Sequence, residues 1–158
     1  MTIADLDRGI GDSRRVLLDS STLIAFHSPR EAAHTLAVHL LQRMSAQENS
    51  LLGFCSMVSA SELLVRPIRS GGPDLLLMHR FLTESPNLTL VAVDLFVAMQ
   101  AANLRAMTNI RLPDALIVAT GLLAGCEVII SNDERWQRQF GPLYPQFRWL
   151  YLSDYLPI

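Results

Sequence analysis

Short apolar runs alternate along this chain with longer stretches in which apolar residues recur every three or four positions. A short apolar run bounded by turn-forming residues reads as a buried strand, and the longer period as one face of a helix. Residues 16–19 (VLLD) therefore predict a strand, and residues 21–26 a short helix leaving it. From 29 to about 48, Ala33, Leu36, Ala37, Leu40, Leu41 and Met44 keep helical spacing. Pro29 falls in the first turn of that helix, where its missing N–H costs nothing. Residues 51–56 predict a second strand, followed by a helix through Glu62 that stops near Pro67. SGGP at 70–73 marks a turn, and 74–84 reads as another helix. A third strand is expected over 87–93, with Leu88, Leu90, Val91 and Val93 inward. Helices over 94–108 and 113–124, a fourth strand over 127–131, a short helix from Asp133 and a strand over 147–152 complete the pattern. No apolar period is read before Val16, so residues 1–14 are expected to be a polar, loose leader and residues 15–158 a single domain. Strands alternating with helices at this density imply parallel pairing with helices on both faces. The fold class is α/β: three layers, α/β/α, around a mostly parallel sheet of about five strands.

Composition narrows the possibilities. A chain of 158 residues can bury a core without disulfide or metal staples. With half of its residues hydrophobic and 18% charged, it should be globular. A formal net charge of −2 argues against broad wrapping around nucleic acid. All thirteen basic residues are arginine, which leaves room for a local basic groove but not for chemistry that needs lysine. A P-loop requires its lysine, and Schiff-base chemistry an amine. Cys55 and Cys126 have no CxxC or Cys/His spacing for zinc and read as buried, reduced thiols. The polar, acidic N-terminus does not read as a signal peptide. The apolar stretch 112–130 is interrupted by Pro113, Asp114, Gly121, Gly125 and Glu127, so it reads as helix, turn and strand and not as a membrane span. A soluble protein of the cytoplasm is expected.

Four carboxylates fall at element ends. Asp19 closes the first strand, Glu62 follows the second in VSASELLV, Asp114 opens a helix in RLPDALIVAT, and Asp133 follows the fourth strand in VIISNDERW. In an open parallel sheet the carboxyl ends of the strands are where ligands bind. Each acid alone has an ordinary explanation. Asp19 and Asp133 could cap the helices after them, at about 1 kcal/mol each. Asp114 suits a first turn, and Glu62 a solvated helix face. Asp94, also at a helix start, is read as a cap. Together the four are harder to explain, since Glu62 and Asp114 stand among strongly apolar neighbours in sequence. Gathered carboxylates raise one another's pKa unless a cation offsets them. All-oxygen donors favour Mg2+ or Mn2+ over zinc.

These segments resemble the PIN-domain ribonucleases, and most closely the VapC-type toxins of bacterial toxin–antitoxin pairs. LLDSSTLIAF resembles that family's opening motif, SASELL its glutamate segment, and LRAMTNIRLPDALIVATGLLAGCEVIISND its most recognisable stretch, with the third and fourth acids nineteen residues apart. The resemblance runs from about Val16 to Leu152. It implies a PIN-like fold and catalytic, Mg2+-binding roles for Asp19, Glu62, Asp114 and Asp133, with Mn2+ as a substitute. In such families the fourth acid is often a more distant ligand held through water. Ser131 falls where the family commonly has threonine, and Ser20 and Ser21 would line the same mouth as hydrogen-bond donors, not nucleophiles. The chain departs from the family in its longer leader and in Gly121, where alanine is more usual.

Other readings fit less well. A receiver domain and a haloacid-dehalogenase-like phosphatase both want a lysine, and Ser21 stands where the latter needs a second aspartate. No G-x-S-x-G elbow occurs, and His27, His34, His39 and His79 form no HExxH pair. Two further alternatives are a PIN-like module that binds RNA or protein without cutting, and a non-toxin PIN nuclease of RNA processing. Retention of all four acids argues against the first. The expected activity is metal-dependent hydrolysis of RNA phosphodiesters, with Arg66, Arg105, Arg111 and Arg135 as candidate phosphate contacts. Single-stranded or loop RNA is the expected substrate class, because its bases are accessible. The toxin resemblance also implies a VapB-type antitoxin that covers the acidic mouth, and a homodimer.

Overall fold

The computed structural model describes residues 2–46 and 51–156. Its centre is a five-stranded, all-parallel sheet in the order β3-β2-β1-β4-β5. The strands are β1 (Arg15–Leu18), β2 (Leu52–Ser56), β3 (Leu88–Val91), β4 (Val128–Ser131) and β5 (Arg148–Tyr151). From β1 the chain winds outward through β2 to β3, then returns to add β4 and β5 on the other side. The winding therefore reverses between β1 and β4, whose register pairs Val16 with Val128, Leu17 with Ile129 and Leu18 with Ile130.

Side-chain alternation on these central strands divides the core in two. Val16, Leu18, Val128 and Ile130 face one side with α1 (Ile3–Ile10), α2 (Ser20–His27), α3 (His34–Ser45), α4 (Met57–Ser70) and α5 (Pro73–Glu84). Leu17 and Ile129 face the other, against α6 (Leu95–Met107), α7 (Leu112–Leu123) and α8 (Arg135–Phe140). The expected three-layer α/β/α arrangement is what the chain adopts. Both central strands are buried on both faces, which explains their continuous apolar runs.

Helix α7 shows how tightly the layers meet. It ends in a Schellman motif: Cys126 N–H donates to Gly121 O, Gly125 N–H to Leu122 O, and Gly125 takes φ +64°. Inside the helix, a Cβ on Gly121 would lie 2.8 Å from Leu17 Cδ2 and 3.1 Å from Leu17 Cβ. Leu17 is fully buried and cannot retreat. Glycine here is thus set by the close approach of α7 to β1. Gly121→Ala should lower stability despite a helix-propensity gain of about 1 kcal/mol, because overpacking costs about 1–3 kcal/mol. A higher urea midpoint for the variant would contradict this reading.

Four local expectations change. The expected leader is not loose over its described residues, 2–14: α1 is an amphipathic helix whose Leu6 and Ile10 are fully buried. Asp5 accepts from Thr2 N–H (2.6 Å) and Oγ1 (3.0 Å), and Asp7 receives His39 Nε2 and Arg43 Nη1 of α3, each at 2.9 Å. Arg148 Nη1 closes the far end on Ile10 O at 2.7 Å. The helix expected from Pro29 begins at His34 instead. Two successive turns, Glu31 N–H to Ser28 O and His34 N–H to Glu31 O, occupy the intervening residues. Residues 47–48, at its expected end, lie outside the described residues. Pro67 does not end α4, which continues to Ser70; its ring is buried on the core side, and Ser70 Oγ donates to Pro67 O. Val93 lies beyond the end of β3 and is exposed, whereas Leu88 and Leu90 pack on one core cluster and Val91 on the other.

Among the described residues, no helix is long and apolar enough to cross a membrane. Cys55 and Cys126 are buried free thiols, as expected.

Candidate active site

The point where the winding reverses is also where Asp19 stands. Asp19 follows β1 directly, held in place by its N–H donating to Ile130 O across the β1/β4 seam. It caps α2, its Oδ1 accepting from Ser20 N–H at 2.7 Å. The capping role is real, and it explains only half of the carboxylate. Oδ2 accepts from Ser21 Oγ and Ser131 Oγ, each at 2.8 Å. Each hydroxyl is itself fixed by a backbone donor from the turn after β4: Asn132 N–H to Ser21 Oγ and Asp133 N–H to Ser131 Oγ, both 2.9 Å. Asp19 is thus locked by two hydroxyl bridges, and it is only 5% exposed.

Burial pushes the Asp19 pKa up. The hydrogen bonds from Ser131, Ser21 and Ser20 pull it back in part, while the charge of Glu62 raises it further. A carboxylate so caged is oriented by its neighbours but undercompensated in charge.

The other three acids approach from different elements. Glu62, in the second turn of α4, is exposed, correcting its expected apolar setting. The buried stripe of α4 is Ser59, Ala60, Leu63 and Pro67, and Glu62 falls off it while its charge still reaches Asp19. Asp114, in the first turn of α7, is 13% exposed and pairs with Arg111 Nε at 3.0 Å. Asp133, after β4, receives Arg135 Nε at 2.8 Å on Oδ1 and 3.0 Å on Oδ2, with Nη2 also on Oδ2. Arg135's side-chain hydrogen bonds hold the Asp133 carboxyl below the usual range; its backbone hydrogen bond and the charges of Arg135 and Arg111 add to this. The hydrogen bonds and charge of Asp133 raise the Arg135 pKa, and the charge of Asp114 adds to this. Asp114, Asp133, Arg111 and Arg135 therefore share one electrostatic neighbourhood, joined to Asp19 through Ser131.

Ser20, Ser21 and Ser131 all lie at this mouth, as expected, with their polar atoms engaged on Asp19 and the β4 turn. Of the four arginines, Arg111 and Arg135 are at the acids. Arg66 is exposed on α4, Arg105 Nε donates to Ile110 O at 3.4 Å, and neither pairs with the acids among the described residues. Asp94 caps α6 by accepting from Val97 N–H at 2.9 Å, the role read for it. Asn132 was not foreseen. Its N–H holds Ser21, and its Oδ1 accepts from Ser153 Oγ at 3.2 Å, tying the 3-10 turn Leu152–Tyr155 to the site. Only its place between Ser131 and Asp133 hints at this in the sequence.

The donor chemistry fits a hard divalent cation: the groups are all carboxylate and hydroxyl oxygens, and the most buried carboxylate is undercompensated. As the side chains stand, no three His, Cys, Asp or Glu residues among those described are placed to hold a metal ion together. Two of the four acids are instead engaged by guanidinium groups.

Comparison with known proteins agrees with this fold. The PIN domain family model matches residues 16–140. A toxin–antitoxin complex from Klebsiella pneumoniae contains a chain of similar fold at 20% identity and a TM-score of 0.62, covering 84% of this chain and 94% of that one. VapC20 from Mycobacterium tuberculosis, described as a sarcin–ricin loop cleaving toxin, aligns at 16% identity and TM-score 0.61 over 78% of this chain and 93% of its own. VapBC-1 from nontypeable Haemophilus influenzae aligns at 16% and 0.61, over 88% and 98%. No curated protein matches by sequence.

Proposed function

The chain belongs to the PIN-domain family, and from that premise we propose that it is an Mg2+-dependent endoribonuclease acting in the cytoplasm as the toxin of a VapBC-type toxin–antitoxin pair. The observation that carries this reading is the caged carboxylate of Asp19, at the reversal point of the sheet and within electrostatic reach of a second acid from α4. A helix cap needs one oxygen and can stay in water. This one is buried, oriented on both oxygens and left short of positive charge.

Asp19 and Asp114 would hold the cation directly, with Glu62 and Asp133 completing its surroundings and Mn2+ able to replace Mg2+. When bound, such a cation orients water, lowers its pKa and stabilises charge on a phosphate undergoing displacement. The chain's own contribution is geometric. Ser21 and Ser131 fix the Asp19 carboxylate plane, and Asn132 and Asp133 N–H groups fix those hydroxyls. Glu62, exposed and without a hydrogen-bond partner among the described residues, would orient the water. Arginines beside the acids supply phosphate contacts, so RNA binding should weaken as salt rises. Single-stranded or loop RNA is the proposed substrate.

Several of the fold neighbours come from toxin–antitoxin complexes, which supports a VapB-type antitoxin as partner. Such a partner would cover the acidic mouth with a basic segment. A homodimer is proposed as the working form.

The test is metal removal. Purified protein should cut a structured RNA in Mg2+, lose activity at least about 100-fold in EDTA, and regain it when Mg2+ or Mn2+ is restored, since a metal supplies several kcal/mol of charge stabilisation. Cutting that persists at full rate in EDTA would refute the metal-dependent reading.

A further inference from the structure

The acids that would complete a cation's surroundings are engaged by the chain's own arginines. Arg135 holds both oxygens of Asp133, and Arg111 holds Asp114 at 3.0 Å. The carboxylates are mostly buried, 13% and 23% exposed, whereas the guanidinium groups are 68% and 52% exposed. Each pair thus has an inner acid and an outer guanidinium. The two pairs are also coupled, because Asp114 acts on Arg135 and Arg111 on Asp133.

Guanidinium stays charged at any working pH, so it cannot leave its acid by losing a proton. It leaves only if something else compensates the carboxylate, and it then needs another anion. Ion pairs this exposed are weak, so a divalent cation can displace them. Once displaced, two positive groups would stand beside a bound cation and repel it unless they turned outward. A guanidinium fork matches a phosphate as well as a carboxylate.

We propose that Arg135 and Arg111 are exchange partners: they pair with Asp133 and Asp114 in the metal-free protein and are handed to the RNA phosphates when a cation takes those acids. Metal binding and RNA binding then reinforce one another, and by linkage each raises the affinity for the other by the same factor. The inference rests on the metal-dependent reading above. It assigns Arg111 and Arg135 a dual role as competitors of the metal and ligands of the substrate. Arg66 and Arg105, which pair with no acid among the described residues, have no such coupling. Arg138 provides a control, since it is equally exposed on α8 and pairs with Glu134, outside the four acids.

Two binding measurements test this without turnover. Mn2+ affinity is read by calorimetric titration of the full chain. Affinity for a cleavage-resistant phosphorothioate RNA oligonucleotide is read by fluorescence anisotropy, with and without Mn2+ at equal ionic strength. In the wild type, Mn2+ should tighten RNA binding about tenfold. Arg135→Gln should bind Mn2+ several-fold more tightly and lose most of that gain, and Arg111→Gln should do the same more weakly. Arg135→Lys, which keeps the charge but not the fork, should fall between. Arg138→Gln should leave both numbers unchanged; an equal shift there would mean bulk charge and overturn the exchange. Unchanged Mn2+ affinity in Arg135→Gln, or tighter Mn2+ with the RNA gain intact, would overturn it as well. Failure of the wild type to bind Mn2+ at all would overturn the metal-dependent function itself, and the exchange with it.

Discussion

Asp19→Asn is expected to reduce RNA cleavage by at least about 100-fold while raising the melting temperature of the metal-free protein. The two effects have one cause. Asp19 is almost fully buried, and burial pushes its pKa above the ordinary carboxylate value, so the fold disfavours its ionised form. A folded-state pKa raised above the unfolded one means that the protonated acid favours folding below the unfolded pKa, about 3.9. That contribution is lost as pH rises through the folded pKa. Asparagine removes the charge and is as good a helix cap as aspartate, so the Ser20 N–H bond survives. Its NH2 can donate to a serine hydroxyl where the carboxylate accepted. For a chain of this length each ~1 kcal/mol relieved reads as about 2–4 °C in Tm. The gain should be present at pH 7 and vanish toward pH 3, where the wild-type acid is itself neutral. Thermal melts across that range in EDTA check it, and a variant less stable than wild type at pH 7 would count against the caged-charge account. The loss of activity follows because the neutral amide cannot share a cation's charge.

The second large effect concerns stability and lies in α1. Leu6 and Ile10 are fully buried, one turn apart on the same face, against the core shared with β5 and α3. Truncating a core Leu or Ile to Ala costs about 2–5 kcal/mol. Domains have only about 5–15 kcal/mol in hand, so Leu6→Ala with Ile10→Ala should remove much of the total even if the two are not additive. Urea denaturation of the single and double variants measures this. If the double variant lost less than about 1 kcal/mol, α1 would not be part of the core in solution.

The helix was not legible in the sequence because it is only eight residues long. Its apolar face consists of Ile3, Leu6 and Ile10, scattered among Asp5, Asp7 and Arg8. A period needs more turns than that to stand out, and α1 owes its stability to packing and to Arg148 and Asp7 contacts across the fold. The central strands were legible for the opposite reason: burial on both faces writes an unbroken apolar run, so β1 and β4, and with them the positions of Asp19 and Asp133, could be read directly. Their adjacency could not, since no local pattern states that the fourth strand returns beside the first. Glu62 shows the limit of neighbourhood arguments. Leu63 and Leu64 follow it in sequence, yet the helix turns it outward. The arginine pairs were visible as short spacings, 111 to 114 and 133 to 135. Their meaning depends on which of the two partners is buried, and only the fold decides that. Ser20 and Ser21 stand beside Asp19 in the sequence, but the bridging of Asp19 to the β4 turn needs the two strand ends to be side by side.

The most direct measurement is the rate of cleavage of one structured RNA, in Mg2+, by wild type and by Asp114→Asn purified in parallel. Asp114 sits on an element remote in sequence from Asp19, and its side-chain partner among the described residues is the exposed Arg111. If both acids serve one cation, the variant should stay folded and lose cleavage by at least about 100-fold. Equal cutting by the two proteins would contradict the account.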